Sequence, residues 1–280
     1  MYHKLKICDV ALRDGIQGLR NIYSKSDKLK ILNTIQNVYK PQSIEIGALA
    51  SSKLVPQMKN TIDLWSDVKN TELAKHTNLF VLVSSQKYMK NVIDNHIQNI
   101  SLLTSVSDEF QRKNVNRSLE ESKKEINQIL HIKAQKDNSI RYVKLYVSCI
   151  NTCPIAGKFS SDYIVQELKQ YIRLPGIDEI CLSDTCGTLT LQEFESIIEP
   201  LLIDADPSRI SLHLHRKNRY CTQDIYQIID YAIMKNIYKF DVSYLENTGG
   251  CHMTLSEGCL PNNLHYNDFD HKNNPYITYL

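Results

Sequence analysis

Eight short β-rich runs, most of them separated by longer amphipathic stretches, restrict the fold of this chain more than any other feature. The runs cover residues 5–12, 43–49, 78–85, 99–107, 140–150, 178–184, 209–216 and 238–245. The stretches between them, such as SDKLKILNTIQNVY, carry apolar residues at three- and four-residue steps, as helices with one buried face do. Ser118 and Glu121 have the spacing of a capping box ahead of one such helix. The alternation therefore predicts an α/β fold, a parallel (β/α)8 TIM barrel.

A doubly wound open sheet is the alternative fold for alternating strands and helices. It usually needs fewer strands and carries a glycine-rich first turn of the GxGxxG type. The first turn here, RDGIQGLRN, places Gly15 and Gly18 at a different spacing. Because no linker interrupts the alternation either, we expect one barrel domain over residues 1–264 and a polar tail over residues 265–280. The tail contains a proline and predicts no helix beyond a turn or two.

Composition and charge narrow the classes of function. The 280 residues include 33 basic and 31 acidic side chains, so no strongly basic surface indicates a nucleic-acid partner. No apolar run approaches the length of a membrane span, and the N-terminal segment MYHKLKICDVALRD has no readable targeting signal. We therefore expect a cytoplasmic protein without a membrane partner. The eight cysteines form no CxxC pair and are expected to be reduced thiols.

Two histidines lie one residue apart in the segment ISLHLHRK (210–217), which overlaps the seventh run, and they indicate a candidate site at the barrel mouth. Side chains alternate along a strand, so His213 and His215 would face the barrel interior while Leu212 and Leu214 face the helices. Both imidazoles could then reach one ion, and zinc, iron, manganese and magnesium all stay open. A carboxylate such as Asp14 would favour a harder divalent ion. Taken alone, the histidine pair is explained equally well as an ordinary polar stripe in the lumen.

Motifs distributed along the chain match one family, in the order in which that family has them. They are LRDGIQ (12–17), IEIGALASSKLVPQM (44–58), SDEFQRKNVNRSLEES (107–122), YVSCINTCPIAGK (146–158), LSDTCGT (182–188), HLH (213–215) and GGC (249–251). On these motifs the chain resembles the hydroxymethylglutaryl-CoA lyases, a branch of the metal-dependent carbon–carbon lyases and Claisen-type synthases built on the TIM barrel. The stretch SKLVPQM belongs to the lyase branch in particular.

The resemblance implies a divalent cation, Mg²⁺ or Mn²⁺, bound by Asp14, His213 and His215. The fourth ligand in the family is an asparagine in the segment after the glycine loop. This chain offers Asn262 and Asn263 there. Asn263 is the better match, although it lies farther from the glycine loop than the family pattern has it.

The resemblance also implies a set of catalytic side chains. Arg13 would stabilise the enolate oxygen that forms as acetyl-CoA leaves, and Cys251 would be the thiol that shuttles the proton. Glu45 would be a polar partner in the active site, and Asp184 an acidic residue close to the metal and the substrate. From the residues alone, Arg13 could instead form a salt bridge to Asp14 or Asp184 without chemistry, and Glu45 could simply neutralise Arg13.

The implied reaction is retro-Claisen cleavage of hydroxymethylglutaryl-CoA, or a close 3-hydroxyacyl-CoA, to acetyl-CoA and a keto acid (acetoacetate). The partner is then an acyl-CoA substrate, and a homodimer stays open. Two departures from the family pattern are a shortened C-terminal region and the basic pair Arg216 and Lys217 after HxH. That pair would repel the ion unless it points at the phosphates of coenzyme A. The chain could therefore be an impaired lyase-like barrel with a binding or structural role, or a related aldolase or Claisen enzyme with another substrate.

Overall fold

Eight parallel strands close into a barrel, as the alternation in the sequence predicts. The computed structural model describes residues 5–135, 139–217, 223–250 and 261–269 of the chain. The barrel strands are β1 (Lys6–Asp9), β2 (Ser43–Leu49), β3 (Asn78–Val83), β4 (Asn99–Ser105), β5 (Tyr142–Ser148), β6 (Glu179–Ser183), β7 (Ile210–His213) and β8 (Lys239–Val242). Each strand pairs with the next along the chain and β8 pairs with β1, which confirms the (β/α)8 TIM barrel.

Helices form most of the connections and cover the barrel. They are α1 (Lys25–Val38), α2 (Thr61–Val68), α3 (Glu72–His76), α4 (Met89–Asp94), α5 (Asp108–Val115), α6 (Leu119–Lys133), α7 (Ser161–Ile172), α8 (Leu191–Leu202) and α9 (Gln223–Met234). The predicted capping box begins α6, because Ser118 Oγ accepts the N–H of Glu121 and the Glu121 carboxylate accepts the N–H of Ser118. None of the helices within the described ranges is long and apolar enough to cross a membrane.

β1 ends earlier than the predicted run 5–12, because the chain turns at Asp9. The Asp9 carboxylate accepts the N–H of Ala11 at 2.8 Å and the N–H of Tyr244, which follows β8, at 3.1 Å. After Val10, residues Ala11–Gly15 form a π-helical turn that is buried throughout. This turn carries the chain into the barrel mouth before α1 begins.

β7 ends at His213, so the predicted run 209–216 forms two strands instead of one. His215–Arg216 leaves the barrel sheet and pairs antiparallel with Asn262–Asn263. Leu212 and Leu214 both lie in the apolar core between barrel and helices, as the alternation predicts.

Strand side chains alternate between that apolar core and a polar lumen. On β5, residues 143, 145 and 147 pack under the helices, whereas Lys144 and Tyr146 lie among charged groups inside the barrel. Lys144 Nζ lies 2.5 Å from Asp241 Oδ1 on β8 and 3.4 Å from Glu179 Oε1 on β6. The cation of Lys144 is thus paired with two carboxylates, as a charge in a barrel interior must be.

Residues 261–269, the last described part of the chain, pack beside β8. Tyr266–Phe269 form one 3-10 turn. The ring of Phe269 lies 5.1 Å from that of Phe240 in β8, and Tyr266 stacks on Tyr39 at 3.9 Å between centroids. The outer face of β8 is therefore covered at Phe240. The predicted boundary between barrel and tail at residue 264 stays a prediction.

Candidate active site

Polar side chains from distant parts of the sequence meet at one mouth of the barrel. Arg13 and Asp14 lie in the π-helical turn after β1, and not at the end of the strand itself. His213 ends β7, while His215 and Asn263 lie opposite each other in the short strand pair. All five residues are buried, with at most 7% of their surface exposed. They occupy the carboxyl end of the strands, where active sites of this fold occur.

Asp14 and the two histidines direct three potential ligand atoms at one another. Asp14 Oδ2 lies 3.7 Å from Nε2 of His213 and 3.6 Å from Nε2 of His215. These separations are too long for hydrogen bonds. The three atoms lie within 4.8 Å of one another, as the ligand atoms around one ion do.

Hydrogen bonds on the far side of each imidazole fix which nitrogen faces Asp14. His215 Nδ1 lies 2.8 Å from the carbonyl oxygen of Asp184, which can only accept, so Nδ1 carries the hydrogen. His213 Nδ1 lies 3.2 Å from Oδ2 of Asp241. Both Nε2 lone pairs are thereby left for the space shared with Asp14. Metal-bound histidines in proteins are held in this way by a carbonyl or a carboxylate.

Asn263 adds an oxygen donor beside His215. The side-chain oxygen and nitrogen of Asn263 are buried and have no hydrogen-bond partner among the described residues, and the same holds for Nε2 of His215. Buried polar atoms without partners are rare unless a ligand or water satisfies them. Asn262 lies opposite Arg216 instead. The donor set of one carboxylate, two imidazoles and one amide fits a divalent cation.

Arg13 is held by two carboxylates next to this cluster. Its Nη1 lies 2.6 Å from Oδ1 of Asp14, and its Nε lies 2.5 Å from Oε2 of Glu45. The guanidinium lies 4.7 Å from the ring centroid of Tyr146. Nη2 is buried and has no partner among the described residues. The salt bridge to Asp14 and the neutralisation by Glu45 are thus both present, and the Nη2 amino group of Arg13 is left without a partner in the described part of the chain.

The charges around the cluster keep Asp14 in its ionised form. Burial alone would raise the pKa of Asp14, but Arg13 and the two imidazoles hold it well below its usual value. Burial lowers the pKa of His213, although Asp241 and Asp14 act against it. His215 is equally buried, yet Asp14 raises its pKa above the ordinary value. Asp14 is therefore ionised, as a carboxylate ligand of a cation has to be.

Asp184 reaches the cluster through its backbone. Its carboxylate accepts the N–H groups of Thr188 at 3.2 Å and Leu189 at 3.0 Å, so the side chain shapes the loop after β6. Cys251 lies outside the described residues. The residue before it, Gly250, donates its N–H to Oδ2 of Asp14 at 3.1 Å, so the glycine loop begins at the cluster.

Three lumen residues that support the site were missed by sequence reasoning. Tyr146 places its hydroxyl 2.8 Å from Oδ2 of Asp241 and 3.3 Å from Oε2 of Glu45, and Lys144 pairs with Asp241. The strands read KFDV and YVKLYVS, in which polar and apolar residues alternate. The same alternation that identifies His213 and His215 would have identified Lys144, Tyr146 and Asp241 as lumen residues.

Comparison with known proteins identifies relatives of this chain. A family model described as HMGL-like matches residues 4–222. The chain is 28% identical over 212 residues to the mitochondrial hydroxymethylglutaryl-CoA lyase of Macaca fascicularis, covering 76% of this chain and 63% of that protein. It is 24% identical over 251 residues to a 3-hydroxy-3-isohexenylglutaryl-CoA/hydroxy-methylglutaryl-CoA lyase of Pseudomonas aeruginosa, covering 89% of this chain and 78% of that protein. The chain thus spans less than two thirds of the Macaca protein.

Solved structures share the barrel. The HMG-CoA lyase of Bacillus subtilis matches with a TM-score of 0.82 at 23% identity, over 99% of this chain and 87% of that chain. An HMG-CoA lyase of Acinetobacter baumannii in complex with coenzyme A and 3-methylmalate matches with a TM-score of 0.81 at 20% identity, over 96% of this chain and 83% of that chain. At these identities the likeness shows the fold.

Proposed function

The chain belongs to the HMGL-like family, and on this premise we propose that it is a divalent-metal-dependent carbon–carbon lyase. Its substrate would be hydroxymethylglutaryl-CoA or a close 3-hydroxyacyl-CoA, cleaved by retro-Claisen chemistry to acetyl-CoA and a keto acid (acetoacetate). The observation that carries the proposal is the convergence of Asp14, His213 and His215 on one buried space, next to an arginine whose Nη2 has no partner among the described residues.

Asp14, His213, His215 and Asn263 would hold the cation. The carboxylate and amide oxygens in this set favour Mg²⁺ or Mn²⁺ over softer ions. When bound, such an ion polarises the tertiary alcohol of the substrate and lowers its pKa. The residues around it keep both imidazoles oriented, because Asp241 and the Asp184 carbonyl accept their Nδ1 hydrogens.

Arg13 would act on the opposite end of the bond that breaks. As the carbon–carbon bond cleaves, negative charge moves to the thioester carbonyl oxygen of the departing acetyl-CoA. A guanidinium is always protonated, and Glu45 and Asp14 already hold this one in a fixed plane. Its Nη2, which has no partner within the described ranges, is a donor that needs no rearrangement before the charge develops, which is the condition for strong electrostatic stabilisation.

Cys251 would return a proton to carbon. The alcohol loses its proton as the bond breaks, and the carbanion of the acetyl-CoA product must gain one. In the resemblance this donor is the thiol that follows the glycine pair. The N–H of Gly250 on Asp14 Oδ2 supports the assignment, since it brings the start of that loop to the cluster. Asp184 would contribute by orienting His215.

The remaining parts of the proposal concern partners and location. An acyl-CoA substrate is supported by the related structure that contains coenzyme A and 3-methylmalate. A cytoplasmic location stays a prediction from the sequence, and a homodimer stays open. The basic pair Arg216 and Lys217 directly after HxH keeps an impaired, binding or structural barrel as the second candidate.

An activity assay tests the proposal. The purified protein is incubated with hydroxymethylglutaryl-CoA and Mg²⁺ or Mn²⁺, and acetyl-CoA and acetoacetate are quantified. Arg13→Met should lower kcat by about 100-fold to 1000-fold, the usual effect of removing one such donor. Arg141→Met, an exposed arginine just before β5 at the other end of the barrel, is the matched control. Failure of an ion-loaded protein to form either product would favour the second candidate.

A further inference from the structure

The strand pair that carries Asn263 has only two residues on each side. His215 lies opposite Asn263, and Arg216 lies opposite Asn262. The N–H of Asn263 donates to the carbonyl of Thr248 at 2.9 Å. Even a complete two-stranded hairpin is marginally stable in water, so this ladder alone cannot fix the position of the Asn263 amide. Additional contacts have to hold the segment against the barrel mouth.

Arg216 and Asp268 form a shielded ion pair across this segment. Nη2 of Arg216 donates to Oδ1 of Asp268, and the two side chains are 15% and 4% exposed. Oδ2 of Asp268 accepts the N–H of His265 at 2.7 Å, and Oδ1 lies 3.4 Å from the hydroxyl of Tyr226 in α9. Asp268 therefore joins the strand that follows β7, the turn after the second strand of the pair, and α9.

We propose that Arg216 and Asp268 are positioning residues that hold Asn263 in place as the fourth ligand of the cation. The inference rests on the proposed function, because it takes Asn263 to bind the ion. The amide of Asn263 has no partner of its own among the described residues, so its position depends on the backbone that carries it. The ladder to His215 holds that backbone on one side. The ion pair of Arg216 and Asp268, the clamp, holds it on the other.

The same pair accounts for a basic residue directly after the HxH motif. A free guanidinium beside a bound cation would weaken its binding by repulsion. The carboxylate of Asp268 compensates the charge of Arg216 at contact distance and directs it to the turn after Asn263. Lys217, the second basic residue after HxH, is exposed. The two basic residues therefore have different surroundings, and only Arg216 is part of the clamp.

The test measures Mn²⁺ affinity of the full chain from the electron paramagnetic resonance signal of free Mn²⁺. Arg216→Gln and Asp268→Asn should each raise the Kd about 10-fold to 100-fold, as loss of outer partners of metal ligands typically does. Lys217→Gln removes a neighbouring positive charge without touching the clamp and should leave the Kd unchanged. The reversed pair, Arg216→Asp with Asp268→Arg, should recover part of the affinity, and it decides the case if a single variant fails to fold.

A coupling measurement separates positioning from a general structural role. In an Asn263→Ala background, breaking the ion pair should change the Kd by less than about 2-fold, because the ligand that the pair holds is gone. An undiminished effect in that background, or tighter binding by Arg216→Gln, would overturn the inference. So would a folded reversed pair that gains nothing.

The proposed function and this inference fail in different ways. If the wild-type chain binds no Mn²⁺, both are overturned. If the wild type binds Mn²⁺ and the Arg216 and Asp268 variants bind it equally well, the cation site stands and the clamp does not.

Discussion

The carboxylate of Asp241 lies behind the imidazole of His213, with Oδ2 3.2 Å from Nδ1. The same carboxylate accepts the hydroxyl of Tyr146 at 2.8 Å and pairs with Lys144 at 2.5 Å. Although burial alone would raise the pKa of Asp241, Lys144 and His213 hold it well below its usual value. An ionised carboxylate therefore orients His213 from inside the lumen. Lys144 and Tyr146 on β5 in turn hold this carboxylate in place.

Asp241→Asn should weaken metal binding without removing a ligand. The amide of this variant can donate its own N–H to Nδ1 of His213. The hydrogen of the imidazole would then no longer be kept on Nδ1. We expect the Kd for Mn²⁺ to rise about 10-fold to 100-fold in a calorimetric titration. Glu179→Gln is the control, because Glu179 pairs with lumen lysines and contacts neither imidazole. Equal affinities in wild type and Asp241→Asn would show that His213 needs no support from Asp241.

Lys144→Met should destabilise the whole barrel. It leaves the buried carboxylates of Asp241 and Glu179 without their shared cation, and breaking a buried ion pair costs about 3–5 kcal/mol. Urea denaturation measures the loss in the free energy of unfolding. Lys90→Met removes an exposed lysine whose ion pair with Asp94 is worth about 0.5 kcal/mol or less. A loss no larger than that of the Lys90 variant would contradict the lumen network.

Asp9→Asn should change how stability depends on pH. Burial raises the pKa of Asp9 from 3.8 to about 7. Between these values the folded state retains a proton that the unfolded state has released, so this residue contributes less stability as pH rises from about 4 to about 7. The unfolding free energy of wild type relative to Asp9→Asn should therefore fall over this range, by at most about 4 kcal/mol. If the difference in unfolding free energy between the two proteins stays constant between pH 4.5 and pH 7.5, the pKa of Asp9 is not raised.

Gly249→Ala should displace Asn263. A Cβ on Gly249 would clash with the side-chain amide of Asn263, and the backbone φ of +121° is one that residues with a side chain rarely adopt. We expect the Kd for Mn²⁺ to rise at least about 10-fold. Gly157→Ala is the matched control, since Gly157 also has a positive φ, of +82°, but no atom of the described residues lies within 4 Å of a Cβ there. It should cost about 1–2 kcal/mol of stability and leave the affinity unchanged.

The fold could be predicted because the information lies within short stretches. The barrel strands are short runs in which side chains alternate, and α1, α6 and α8 each begin with a capping box, such as that of Ser118 and Glu121. What the sequence did not predict depends on contacts between distant segments. β1 ends at Asp9 because its carboxylate binds the N–H of Tyr244, which lies 235 residues away. No local pattern contains that bond.

The same distinction between local patterns and contacts of distant segments applies to the site. Alternation along one strand was enough to expect His213 and His215 on a common face, and the structure places both beside Asp14. The support of His213 by Asp241 arises only when β7 and β8 are paired. Similarly, the partner of Arg216 lies in a polar tail whose path back to the barrel no periodicity indicates.

A calorimetric titration with Mn²⁺ and Mg²⁺ tests the central claim most directly. The wild-type chain is compared with a His213→Ala, His215→Ala double variant, which loses both imidazoles and keeps Asp14. The account predicts that the wild type binds one equivalent of the ion and that the double variant does not. No binding by the folded wild type, or binding by the double variant with the same affinity, would contradict a cation site at this barrel mouth and with it the proposed lyase chemistry.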